Sequence, residues 1–131
     1  MKRLRPTALL LALLVPALNA CAPALSGASL ELSPSFLQLR RGSSATVRVS
    51  FRRYVYGDEA LGGYPLFVSD IGLRGLRVTR FDTSLAADDT TLLTVAAARN
   101  ADLGRQRLSV TVSDPHGRGN VQSTLEIDVV P

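Results

Sequence analysis

From Leu30 onward apolar and polar residues alternate. The clearest run sets Ala45, Val47, Val49 and Phe51 on one side and Thr46, Arg48, Ser50 and Arg52 on the other. A period of two with β-branched residues is the pattern of a strand with one buried face. It recurs as Leu108, Val110 and Val112 against Arg107, Ser109, Thr111 and Ser113, and as Leu125, Ile127 and Val129 against Thr124, Glu126 and Asp128. Weaker forms lie at Leu37 and Leu39, at Leu76 and Val78, and at Leu93, Val95 and Ala97, while a short piece from Leu30 to Leu32 stops at Ser33-Pro34. Turn residues separate the runs at Arg41-Gly42-Ser43, Asp88-Asp89-Thr90, Asn100 to Gly104 and Asp114 to Asn120. Strands at this spacing, each with one apolar face, predict an all-β fold of two antiparallel sheets packed face to face. A helical turn could hide only at Thr83 to Ala87 or Ala96 to Ala101, both too short to change the class.

The rhythm breaks between Arg52 and Gly75, the stretch that holds all three tyrosines, Tyr54, Tyr56 and Tyr64. Tyrosine and arginine are frequent anchors of protein interfaces, and loops on a rigid sandwich commonly carry function. Arg52, Arg53, Tyr54, Tyr56 and Tyr64 are therefore the candidate partner-binding residues. The competing reading runs Tyr54 and Tyr56 on as part of the preceding strand and makes Leu66 to Val68 the next one.

Ahead of the strand pattern, Lys2, Arg3 and Arg5 precede an apolar run from Ala8 to Ala17 broken only by Pro16. This is the layout of a secretory signal, and the run is short of the roughly 20 residues that span a bilayer. Residues 1–20 are read as a cleaved signal peptide, 21–29 as a flexible tether rich in Ala, Ser, Gly and Pro, and 30–131 as one sandwich domain. Leu18-Asn19-Ala20-Cys21 resembles the lipobox of bacterial lipoproteins, with Asn19 departing from the usual small or aliphatic residue. The resemblance implies a diacylglycerol thioether on Cys21, which becomes the first mature residue. It also accounts for the only cysteine of an exported chain, which cannot pair internally. The competing reading is ordinary cleavage after Ala24, using Ala22-Pro23-Ala24.

Loss of the signal changes the charge. Three of the 15 basic residues leave and no acidic one does, so 12 basic groups face 11 acidic ones, a formal +1. That balance offers nucleic acid no basic surplus and anionic lipid no polybasic cluster.

The opening Leu32-Ser33-Pro34 with Arg41-Gly42-Ser43-Ser44 to Val49, Gly104 leading into Leu108 to Asp114, and the closing Leu125 to Val129 together resemble bacterial immunoglobulin-like and fibronectin-III-like domains. The resemblance implies a single immunoglobulin-like β-sandwich. Such domains often carry a corner tyrosine two residues after the glycine, where this chain has Gln106, and the paired cysteines and Trp of antibody domains are missing.

Catalytic chemistry finds few carriers. His116 is the sole histidine and sits in a Pro-Gly-rich turn, with no Gly-x-Ser-x-Gly elbow to present a nucleophile. Zinc would want three or four His or Cys ligands. Calcium takes oxygen ligands, for which Asp82 with Asp88-Asp89, or Asp114 with Asn120, are candidates. Such acids also serve as turn formers that bond their own backbone. The expectation is a non-enzymatic, lipid-anchored envelope protein without cofactor or metal, whose domain is a binding or structural module that binds an envelope protein or polysaccharide or serves as an accessory subunit of a larger assembly. Ala22 is not the Asp that retains lipoproteins in an inner membrane, so an outer membrane is favoured where there are two. The alternative is a hydrolase or carbohydrate-active enzyme using Asp58, Glu59, Asp70 and Asp82, whose carboxylates would have to approach within about 5 to 10 Å of each other.

Overall fold

The computed structural model describes residues 24–53 and 63–131. Among these residues nine strands follow in chain order: β1 (Ala28–Ser33), β2 (Phe36–Arg40), β3 (Ser44–Arg53), β4 (Tyr64–Ser69), β5 (Leu76–Arg80), β6 (Ser84–Leu85), β7 (Thr90–Ala97), β8 (Gly104–Ser113) and β9 (Asn120–Val130). They form a four-stranded sheet in the order β1-β3-β7-β5 and a five-stranded sheet in the order β2-β9-β8-β4-β6. The expected all-β sandwich is therefore present. Neither short stretch that could have turned helical does so: Ser84 and Leu85 form β6, and Ala96 and Ala97 end β7.

Among the named strands one pairing departs from the antiparallel expectation, because β2 runs parallel to β9. The cause is the Ser33-Pro34-Ser35 step. β1 descends along β3, the chain crosses to the other sheet without reversing, and β2 goes on descending beside β9, which descends too. The Glu126 amide donates to the Ser35 carbonyl (3.1 Å) and secures that crossing.

Alternation buries the inward residues of the central strands and half-buries those of β5. Val47, Val49, Phe51, Leu93 and Val95 from one sheet meet Leu66, Leu108, Val110, Val112, Leu125 and Ile127 from the other, all within 1% of complete burial. Each such side chain contributes about 1.5–3 kcal/mol.

The domain begins earlier than the sequence boundary at residue 30. Ala24 bridges Asn120, the Leu25 amide donates to the Asn120 carbonyl at 2.8 Å, and Leu25 is 4% exposed within the core. The expected tether at 21–29 thus yields residues 24–29 to the fold, because Leu25 finds an apolar site beside the start of β9. The entering chain, the 86–89 turn and the 114–119 turn share one pole, called here the loop pole. The 41–43, 70–75 and 98–103 connections and the end of β9 share the opposite one, the far pole.

Candidate functional site

At the loop pole the strand alternation carries polar groups inward. Arg53 continues the inward parity of Val47, Val49 and Phe51; Tyr64 shares that of Leu66; Asp114 follows Leu108, Val110 and Val112. The three meet between the sheets. The Arg53 Nη1 donates to the Tyr64 hydroxyl (3.0 Å) and lies 4.0 Å from Asp114 Oδ1, with the Arg53 side chain 4% exposed and that of Asp114 fully buried. Arg118 curls back across its own turn. Its backbone N–H and Nε donate to Asp114 Oδ2 and its Nη2 to Oδ1, a bidentate clasp. Tyr64 also stacks at 4.9 Å and 55° on Phe51, and the Arg53 guanidinium lies 5.4 Å from the Tyr64 ring centre. The cluster ties β3 in one sheet to β4 and the β8–β9 hairpin in the other.

Of the five residues expected to face a partner, Arg53 and Tyr64 are accordingly interior, at 8% and 1% exposure. Their strand parity required it, and the rhythm break that starts at Arg52 concealed it. Arg52 is exposed on β3. Tyr54 and Tyr56 lie outside the described residues, as do Cys21, Asp58 and Glu59.

Three of the loop acids accept nearby hydrogen bonds. Asp88, at φ 60°, accepts the Arg53 amide on Oδ1 (3.3 Å). Asp89 accepts the Thr90 amide (2.8 Å) and the Ala86 amide (3.4 Å), and Asp82 accepts the Thr91 hydroxyl (2.8 Å). Among the described residues no three His, Cys, Asp or Glu side chains gather as a metal site would require. Asp70 opens the β4–β5 connection and Asp82 follows β5, so the strand stands between them; its five residues span about 17 Å, beyond the separation that paired carboxylate catalysis uses.

The far pole is built differently. Between the 70–75 and 98–103 connections lies an open groove of about 330 Å³ lined by Ile71, Gly72, Arg74, Asp102, Leu103, Arg105, Gln106 and Arg107. Gln106, at the corner-tyrosine position, uses its amide in both senses: Oε1 accepts the Arg74 amide (2.8 Å) and Nε2 donates to the Arg74 carbonyl (3.0 Å). Gly75, at φ 74°, brings the connection so near that a Cβ there would stand 2.5 Å from the Ala101 Cα. Arg41 Nε donates to the Ala101 carbonyl (2.7 Å). The groove's charged groups stay at the surface: Arg74 pairs with Asp102 at 3.4 Å, while Arg105 (3.8 Å) and Arg107 (3.5 Å) share Glu126. No sequence motif announced this groove, since it joins two connections about 30 residues apart.

No known protein family matches the sequence, and no curated protein does either. Solved structures do share the fold. Domains 4 and 5 of the S-layer protein SbsC superpose with a TM-score of 0.56 at 13% identity, over 78% of this chain and 51% of theirs. A larger SbsC structure, rSbsC(31-844), gives 0.56 at 13% over 77% of this chain and 12% of that one. The BIgI domain of the beta protein from S. agalactiae, solved bound to CEACAM1, matches at 0.44 and 13% over 78% of this chain and 95% of its own. The chain spans about half the length of the two-domain SbsC structure. The architecture is an immunoglobulin-like β-sandwich.

Proposed function

We propose that this chain is a lipid-anchored, extracytoplasmic protein of the cell envelope, whose immunoglobulin-like domain is a non-enzymatic interaction or structural module held to its membrane through Cys21. The observation that carries the reading is the start of the fold. Ala24 and Leu25 are already docked at the loop pole, three positions after the lipobox cysteine. At about 3.5 Å per residue, three residues reach about 10 Å, so a lipid on Cys21 would hold the loop pole at the membrane and turn the far pole away. Two or three acyl chains give stable anchoring, since each buried CH2 contributes about 0.8 kcal/mol.

The interior placement of Arg53, Tyr64 and Asp114 supports a bracing role rather than chemistry for the most concentrated polar cluster. Use of the same fold by an S-layer protein agrees with an envelope setting. The absence of Asp at position 22 favours an outer membrane where there are two.

Expression with and without Cys21→Ala, followed by fractionation and intact mass of the mature chain, tests the anchor. The native chain should sit in the membrane fraction with an acylated Cys21 at its start, and the variant should become soluble. An unacylated native chain beginning at Leu25 would overturn the anchor.

A further inference from the structure

We infer that the far-pole groove is a docking site for an acidic polypeptide segment carrying an aliphatic side chain, presented by another envelope protein. The inference rests on the extracytoplasmic, non-enzymatic reading above but not on the anchor itself.

Three observations select the occupant. The first is charge. Arg74, Arg105 and Arg107 are 71–78% exposed at their side chains, and among the described residues they pair within 4 Å with two carboxylates, those of Asp102 and Glu126, while Asp128 stands opposite Arg105 on β9. A guanidinium pairs with a carboxylate through two parallel hydrogen bonds, and exposed pairs of this sort exchange partners at little cost because each contributes about 0.2–1 kcal/mol. The second is apolar area. Ile71 is 90% exposed and Leu103 51%, on the two connections that flank the groove. Two aliphatic tips beside arginines suit a peptide that alternates acid and aliphatic residues. A sugar ring is less well served, because the aromatic face beside Arg105, that of Phe36, already has the guanidinium 5.6 Å from its centre. The third is rigidity. The two-way Gln106–Arg74 amide pair, the Gly75–Ala101 approach and the Arg41 bond to Ala101 fix both walls, which lowers the ordering cost of binding.

The test uses the full mature chain in detergent micelles. Binding of a short peptide alternating Glu with Leu is followed by NMR shifts and by titration. The comparison ligands are the same peptide with Gln for Glu, and an acidic oligogalacturonate. The Glu–Leu peptide should bind saturably, shift residues 71–74 and 102–107, and weaken as salt rises. The double variant Arg74→Glu, Arg105→Glu should weaken it at least about tenfold, and Leu103→Ser about threefold. No saturable binding, equal binding of the Gln peptide, binding undiminished in the double variant, or preference for the oligogalacturonate would each overturn the proposal. Repeating the titration on unacylated Cys21→Ala protein separates the two readings, since groove binding should persist there whether or not the anchor exists.

Discussion

The two poles of the sandwich use the same residue types to opposite ends. At the loop pole Arg53, Asp114 and Arg118 meet around a carboxylate that is wholly buried. At the far pole Arg74 meets Asp102 with both side chains more than half exposed. A buried ion pair is costly to break, because removing one partner strands a charge where water cannot reach it, a loss of about 3–5 kcal/mol. An exposed pair is nearly neutral, about 0–1 kcal/mol. Depth, rather than the identity of the charged residues, therefore decides which pole is bracing and which is free to bind.

The sharpest way to break that contrast is to delete one carboxylate at each pole. Asp114→Ala should lower stability by about 3–5 kcal/mol in urea unfolding of the full chain, by withdrawing the acceptor of Arg118 and the counter-charge of Arg53. Asp102→Ala should lower it by less than about 1 kcal/mol. Losses of similar size at the two positions would mean that burial is not what separates the poles.

The far pole still has a structural requirement, one of backbone shape rather than charge. Gly75→Ala would place a Cβ 2.5 Å from the Ala101 Cα at a positive φ. The left-handed conformation and the overpacking together should cost about 3 kcal/mol. The ends of β5 and β7 should lose hydrogen-exchange protection first, since Ala98 donates to the Gly75 carbonyl. A variant as stable as the native chain would show that the 70–75 connection is not pinned, and would weaken the case for a rigid groove.

Most of the fold was legible in the sequence because alternation is a local signal. Val47, Val49 and Phe51, then Leu108, Val110 and Val112, stand inward as their period required. The parallel β2–β9 pairing was hidden because strand partners are chosen across the whole chain. The domain start was missed because a single leucine among Ala, Ser, Gly and Pro has no period to betray its burial. The candidate site was half legible. The same parity that places Phe51 and Val112 inside also places Arg53 and Asp114 inside, but each stands where the strand period gives way to an aromatic or Pro-Gly-rich stretch. Gln106 stands where such domains often carry a corner tyrosine. From that position its amide reaches the Arg74 backbone 32 residues upstream, where a corner tyrosine would bond the backbone only a few residues upstream.

A gentler probe of the loop pole is Tyr64→Phe, which keeps the ring against Phe51 and removes only the hydroxyl that accepts from Arg53. A hydrogen bond to a charged group contributes about 1.5–3 kcal/mol, and the guanidinium remains over the ring. The loss should fall near the lower end, about 1–2 kcal/mol, clearly less than for Asp114→Ala. An equal loss would make the hydroxyl, rather than the carboxylate, the keystone of the cluster.

The smallest effect on stability belongs to Arg74→Ala, and it discriminates best between bracing and binding. Among the described residues its guanidinium pairs with Asp102 alone, exposed and at 3.4 Å. The backbone bonds from Arg74 to Gln106 do not depend on its side chain. Truncation should therefore move the urea midpoint by no more than about 0.5 kcal/mol. If the far pole binds an acidic segment, the same change should weaken that binding several-fold and flatten its salt dependence, because one of three guanidiniums facing the ligand is gone. A variant that unfolds early and binds normally would reverse the assignment, making the Arg74–Asp102 pair a brace and leaving Arg105 and Arg107 with the ligand.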